Sequence, residues 1–85
     1  MRKMNDEQRK DIETAIHMIM MHSVSSEYTK YILEHEDEKT GSTFMDDVIE
    51  DVMSSSAWDD EGYYNDDDIR LSIGRILMER LKIEN

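Results

Sequence analysis

The side chains with the most chemistry to offer in this chain are carboxylates. Asp46 with Glu50 and Asp47 with Asp51 form two like-charge i, i+4 pairs, and no Lys or Arg stands within four residues of any of them. On a helix each such pair costs roughly 0.2–0.5 kcal/mol, so helix stability does not explain the face they make. A step of four residues rises about 6 Å, and two columns of carboxylates at that rise repeat charge on the scale of phosphates along nucleic acid. The chemistry on offer is anion presentation to a groove built for DNA. Three further runs carry the same charge: Glu36, Asp37 and Glu38; Asp59, Asp60 and Glu61; Asp66, Asp67 and Asp68. The run at 59–61 reads equally well as a solvated loop, and the run at 66–68 as helix N-terminal anions worth roughly 0.3–1 kcal/mol each. Trp58, Tyr63 and Tyr64 lie between these runs, where amphipathic rings would anchor a protein interface. Trp58 is equally placed to plug the base of a helical bundle.

Other chemistries find less support. Residues 36–47 place Gly41 sixth in a twelve-residue run with acids at places one, three and twelve, the outline of an EF-hand loop. Glu36 first, Thr40 fifth, Thr43 eighth and Asp47 twelfth are not the residues such a loop uses. His17 and His22 are five apart, not the three or four that put two ligands on one helix face, and His35 stands alone. No metal or other cofactor is expected. The acids sit in crowded polar runs without an apolar pocket to separate their pKa values. Three Gly do not make a phosphate-binding loop, and the absence of Cys removes thiol catalysis, zinc-thiolate sites and disulfides. Neither an enzyme nor a catalytic residue is expected.

Helices must position these groups. With no Pro and three Gly in 85 residues, the chain lacks the punctuation of a sheet protein. Asn5 and Asp6 are good N-caps, and Ile12, Ala15, Ile16, Ile19 and Met20 then recur with the helical period, which predicts a first helix over about 6–22. Val24, Tyr28, Tyr31, Ile32 and His35 make a second, less apolar stripe, followed by a turn at Thr40, Gly41 and Ser42. Thr43 with Asp46 resembles a capping box opening a third helix, with stripe Met45, Val48, Ile49, Val52 and Met53, that ends near Ala57. Asn65 or Asp66 caps a fourth, with stripe Ile69, Ile73, Ile76, Leu77 and Leu81. The expected fold is all-α, a single acidic domain over residues 1–85 built as a small bundle of about four helices. Its core is small enough to favour a homodimer, with the least charged helix, 6–22, as the seam.

Residues 1–26 carry four bases and four acids, residues 27–68 carry two bases and 15 acids, and residues 69–85 carry four bases and two acids, so net charges of 0, −13 and +2 make the total of −11. Nucleic acid and anionic membranes should be repelled, and basic proteins attracted. No segment approaches the roughly 18 apolar residues of a membrane span. After Arg2 and Lys3 come Asp6, Glu7, Asp11 and Glu13, where a signal peptide would have its apolar segment. A cytoplasmic location is expected.

Asp11 followed by Ala15-Ile16-His17-Met18, then Val24 and Tyr28, Val52-Met53, Ile69-Arg70 and Arg75-Ile76 give the chain a resemblance to the Ocr family of podophage anti-restriction proteins. That resemblance implies a mostly helical acidic dimer that imitates DNA in the DNA-binding site of type I restriction enzymes. This chain carries extra residues between Tyr28 and Val52. Tyr63-Tyr64 ahead of Asp66, Asp67 and Asp68 also resembles the colicin nuclease immunity proteins, which implies an inhibitor of a nuclease toxin. Both resemblances imply one physical class, an acidic inhibitor of a basic, nucleic-acid-binding protein. The function expected first is that of a phage-encoded DNA mimic covering the DNA-binding surface of a host protein, such as a restriction or other defence enzyme, a CRISPR effector or a nucleoid protein. An immunity-type inhibitor and an acidic helical adaptor are the alternatives.

Overall fold

Each helix begins where a side chain satisfies its first backbone donors. Asn5 Oδ1 accepts from Gln8 N at 2.8 Å while Gln8 Oε1 accepts from Asn5 N at 3.1 Å, a reciprocal capping box. Ser25 Oγ accepts from Tyr28 N at 3.2 Å. Thr43 Oγ1 accepts from Asp46 N and Asp46 Oδ2 from Thr43 N, both at 3.1 Å. Asn65 Oδ1 takes Asp67 N at 2.9 Å and Asp68 N at 3.3 Å, so Asn65 is the cap. In the computed structural model, which describes residues 4–58 and 64–81, these caps open α1 (Asp6–Met21), α2 (Ser26–Glu34), α3 (Phe44–Met53) and α4 (Asp66–Leu81). The fold is all-α, a small bundle of four helices. Among the described residues the only extended pairing is one antiparallel bridge, Glu36 with Thr43.

The third helix stops earlier than its sequence suggests. It closes at Met53, not near Ala57. Ser55 Oγ turns back to donate to Val52 O at 2.6 Å, and Ala57 N bonds Ser55 Oγ at 3.3 Å, so the serines compete with the helical ladder for its backbone groups.

One core serves all four helices. Ile12, Ile16 and Met20 of α1, Leu33 of α2, Val48, Ile49 and Val52 of α3 and Ile69, Ile73 and Leu77 of α4 are buried together with Trp58. α4 packs on α1 and α3, and α2 covers the same two helices. Asp11 and Ile12 lie beside Tyr64, Asp66 and Ile69, while Ile19 and Met20 lie beside Leu77 and Met78, so α1 and α4 run in the same direction. The apolar stripe of α1 lies inside this core, and of its large hydrophobic residues Met18 and Met21 are exposed. Among the described residues no helix is long and apolar enough to cross a membrane.

Candidate acidic interface

The α3 carboxylates are not four equivalent charges. Arg9, 37 residues away on α1, donates from Nη2 to Asp46 Oδ1 at 2.6 Å and from Nε to Glu13 Oε2 at 3.3 Å. Arg80 near the end of α4 donates to Asp51. Asp47 accepts from Ser42 Oγ at 3.2 Å, and the exposed Glu50 carboxylate has no ion-pair or hydrogen-bond partner among the described residues. The Arg9 hydrogen bond, supported by the Thr43 N–H, holds the Asp46 carboxyl below its ordinary pKa. Asp46 and Asp51 in turn raise Arg9 and Arg80. Sequence spacing shows no base near this face because both arrive from other helices. Simple neutralisation of all four acids, which the like-charge pairs alone would make neutral or favourable for stability, therefore breaks two interhelix ion pairs.

The run at 36–38 forms one arm of a tight hairpin. Asp37 N donates to Ser42 O at 2.8 Å, Phe44 N to His35 O at 3.0 Å, and Gly41 N to Asp37 O at 2.8 Å. Asp37 Oδ1 accepts from Lys39 N at 2.7 Å and Thr40 N at 3.2 Å, so this carboxylate holds its own loop. Glu36 and Glu38 are exposed. The Ser42–Asp47 hydrogen bond ties the hairpin that carries Glu36 and Glu38 to α3, which carries Asp47 and Glu50. Phe44, Met45, Asp46 and Asp47 form the first turn of α3, and among the described residues no group of three His, Asp or Glu is gathered as a metal ion would require.

A second acidic group is assembled by the parallel start of α1 and α4. Tyr64 is pushed above its ordinary pKa first by burial, then by Asp11, Asp66 and Glu7. Sequence reasoning selected Asp66 but not Glu7 or Asp11, because only the α1–α4 pairing brings them together. Asp66, Asp67 and Asp68 are exposed. Trp58 is 6 % exposed and stacks on Tyr64 with centroids 5.2 Å apart and planes at 21°. It is a core residue, and its ring is not open to a partner. Asp59, Asp60, Glu61 and Tyr63 lie outside the described residues.

Between α1, α2 and α3 runs a groove of ≈ 830 Å³ with Met18, Leu33 and Met45 among its walls, where Arg9, Lys10 and Lys30 are matched by Glu13, Glu34 and Asp46. The bases of this surface are thus balanced by acids. Compared with family models, with curated proteins and with solved structures, the chain matches none.

Proposed function

We propose that the chain is an acidic inhibitor that covers the DNA-binding surface of a basic, nucleic-acid-binding host protein. The observation that carries this reading is the concentration of 15 acids against two bases in residues 27–68, of which Glu36, Glu38 and Glu50 are exposed and Asp47 is half-buried. The magnitudes are compatible with imitation of duplex DNA. The longest axis of the molecule is 34 Å, one turn of duplex is about 34–36 Å, and DNA carries a charge every ~1.7 Å of axis. A turn thus presents about 20 phosphates. A net −11 over a similar length supplies about half that charge. The resemblance to the Ocr family adds a phage origin, action in the host cytoplasm and a homodimer to the proposal, with restriction enzymes, CRISPR effectors and nucleoid proteins as the target classes.

The ion pairs decide which variant tests it. Asp47→Asn, Glu50→Gln, Glu36→Gln and Glu38→Gln together spare Asp46, Asp51 and Asp37, which hold the structure. This variant should keep the wild-type circular dichroism and melting temperature within a few degrees while its inhibition constant against a type I restriction enzyme rises at least tenfold. Inhibition equal to wild type in a folded variant would refute this face as the mimic.

A further inference from the structure

The solvent side of α4 carries two exposed apolar side chains. Leu71 is 68 % exposed and Met78 47 % exposed, and at 100° per residue they share one face with Gly74. Gly74 sits inside a helix although a Cβ there would meet nothing within 4 Å. Packing within the monomer therefore does not require glycine at this position, and glycine is a poor helix former. Gly74 and Met78 border the cleft between α4 and α1, beside Ile19 and Met20, so the missing side chain leaves room on that flank of the exposed Leu71.

The charges flanking Leu71 name the occupant of this face. Asp67, Leu71 and Arg75 stand at i, i+4 and i+8, with opposite charges at equal distances from the central leucine. All three are exposed, and neither Asp67 nor Arg75 has an ion-pair partner among the described residues. A two-fold axis through Leu71 reverses the helix direction and sets Asp67 of each copy against Arg75 of the other, closing two reciprocal ion pairs around a Leu71–Leu71 contact. A parallel arrangement in register would instead set like against like. Gly74, three residues from the axis, lets the two backbones approach, and Met78 covers the flank. α4 itself carries four acids and three bases, so this seam joins two −11 molecules along a nearly neutral helix.

We infer that α4 is the seam of an antiparallel, two-fold symmetric dimer of this chain, centred on Leu71 and registered by Asp67–Arg75 pairs. The inference goes beyond the proposed inhibition and does not depend on it. Sedimentation equilibrium of the full chain at high micromolar concentration and physiological salt should give a dimer. Arg75→Asp alone and Asp67→Arg alone should each weaken self-association at least tenfold, while an equimolar mixture of the two variants should associate, because their charges match across the axis. As a separate reading that needs no charge change, Leu71→Cys introduces the chain's only thiol and should form an intermolecular disulfide rapidly under mild oxidation, whereas Met18→Cys on α1 should not. A wild-type monomer under these conditions, single charge variants that dimerise like wild type, a mixture that fails to associate while both variants are folded, or equal crosslinking at positions 18 and 71 would each overturn it.

Discussion

Asp46 serves two structures at once, and that is why its charge was misjudged from spacing alone. Its backbone N–H and carboxylate complete the α3 capping box with Thr43, and the same carboxylate receives Arg9 from α1. The box is legible in the residues Thr43 and Asp46; the ion pair is not, because 37 residues of chain separate its members. Both side chains are more than one third exposed, so solvent screening keeps the pair near the usual range for surface ion pairs, about 0.2–1 kcal/mol. Asp46→Asn should cost roughly that amount at pH 7, and Asp46→Ala, which also removes the acceptor for Thr43 N–H, should cost more. The folded pKa lies below the ordinary 3.8, so the stabilising increment is present above that value and is lost as pH falls through the depressed one. Urea denaturation of wild type and Asp46→Asn should thus differ at pH 7 and converge at pH 2. A gap unchanged by pH would show that the ion pair is not its source.

Among the elements, periodicity exposed what is local and missed what is not. The stripes of α1, α3 and α4 are the buried faces, since each stripe must meet another to leave water. The early end of α3 has no local signal because the apolar residue Ala57 continues the pattern while the Ser55 hydroxyl takes up Val52 O and Ala57 N. The parallel course of α1 and α4 follows from tertiary packing and has no local signature, so Glu7 and Asp11 could not be joined to Asp66 in advance. The turn at Thr40, Gly41 and Ser42 was legible and has a sharp physical reason: Gly41 holds φ at 74°, where a Cβ is disfavoured by roughly 1–2 kcal/mol. An added Cβ there meets no atom within 4 Å, so the cost of Gly41→Ala is one of backbone conformation alone. Thermal denaturation should place that variant several degrees below wild type, at about 4–8 °C per kcal/mol for a domain of this size. An unchanged melting temperature would mean that the hairpin relaxes without penalty. Through Ser42 and Asp47, this hairpin also fixes Glu36 and Glu38 relative to α3.

The acids of the whole molecule gather on α3 and its hairpin and around Tyr64, while in the groove between α1, α2 and α3 acids and bases balance. Salt sets the range over which a basic cleft senses the acidic side, because charges are screened beyond about 8 Å at physiological ionic strength. Long-range attraction should raise the association rate at low salt and lose that advantage as ionic strength rises. The central claim is that this surface and DNA compete for one site. The most direct measurement is displacement of a fluorescent duplex from a type I restriction enzyme, a CRISPR effector and a nucleoid protein, followed by anisotropy as the chain is titrated at two salt concentrations. The account predicts full displacement from at least one of the three, with an apparent inhibition constant that weakens with salt and scales with the duplex concentration as competition requires. Retention of duplex by all three, or a ternary complex that holds DNA at unchanged affinity, would contradict it.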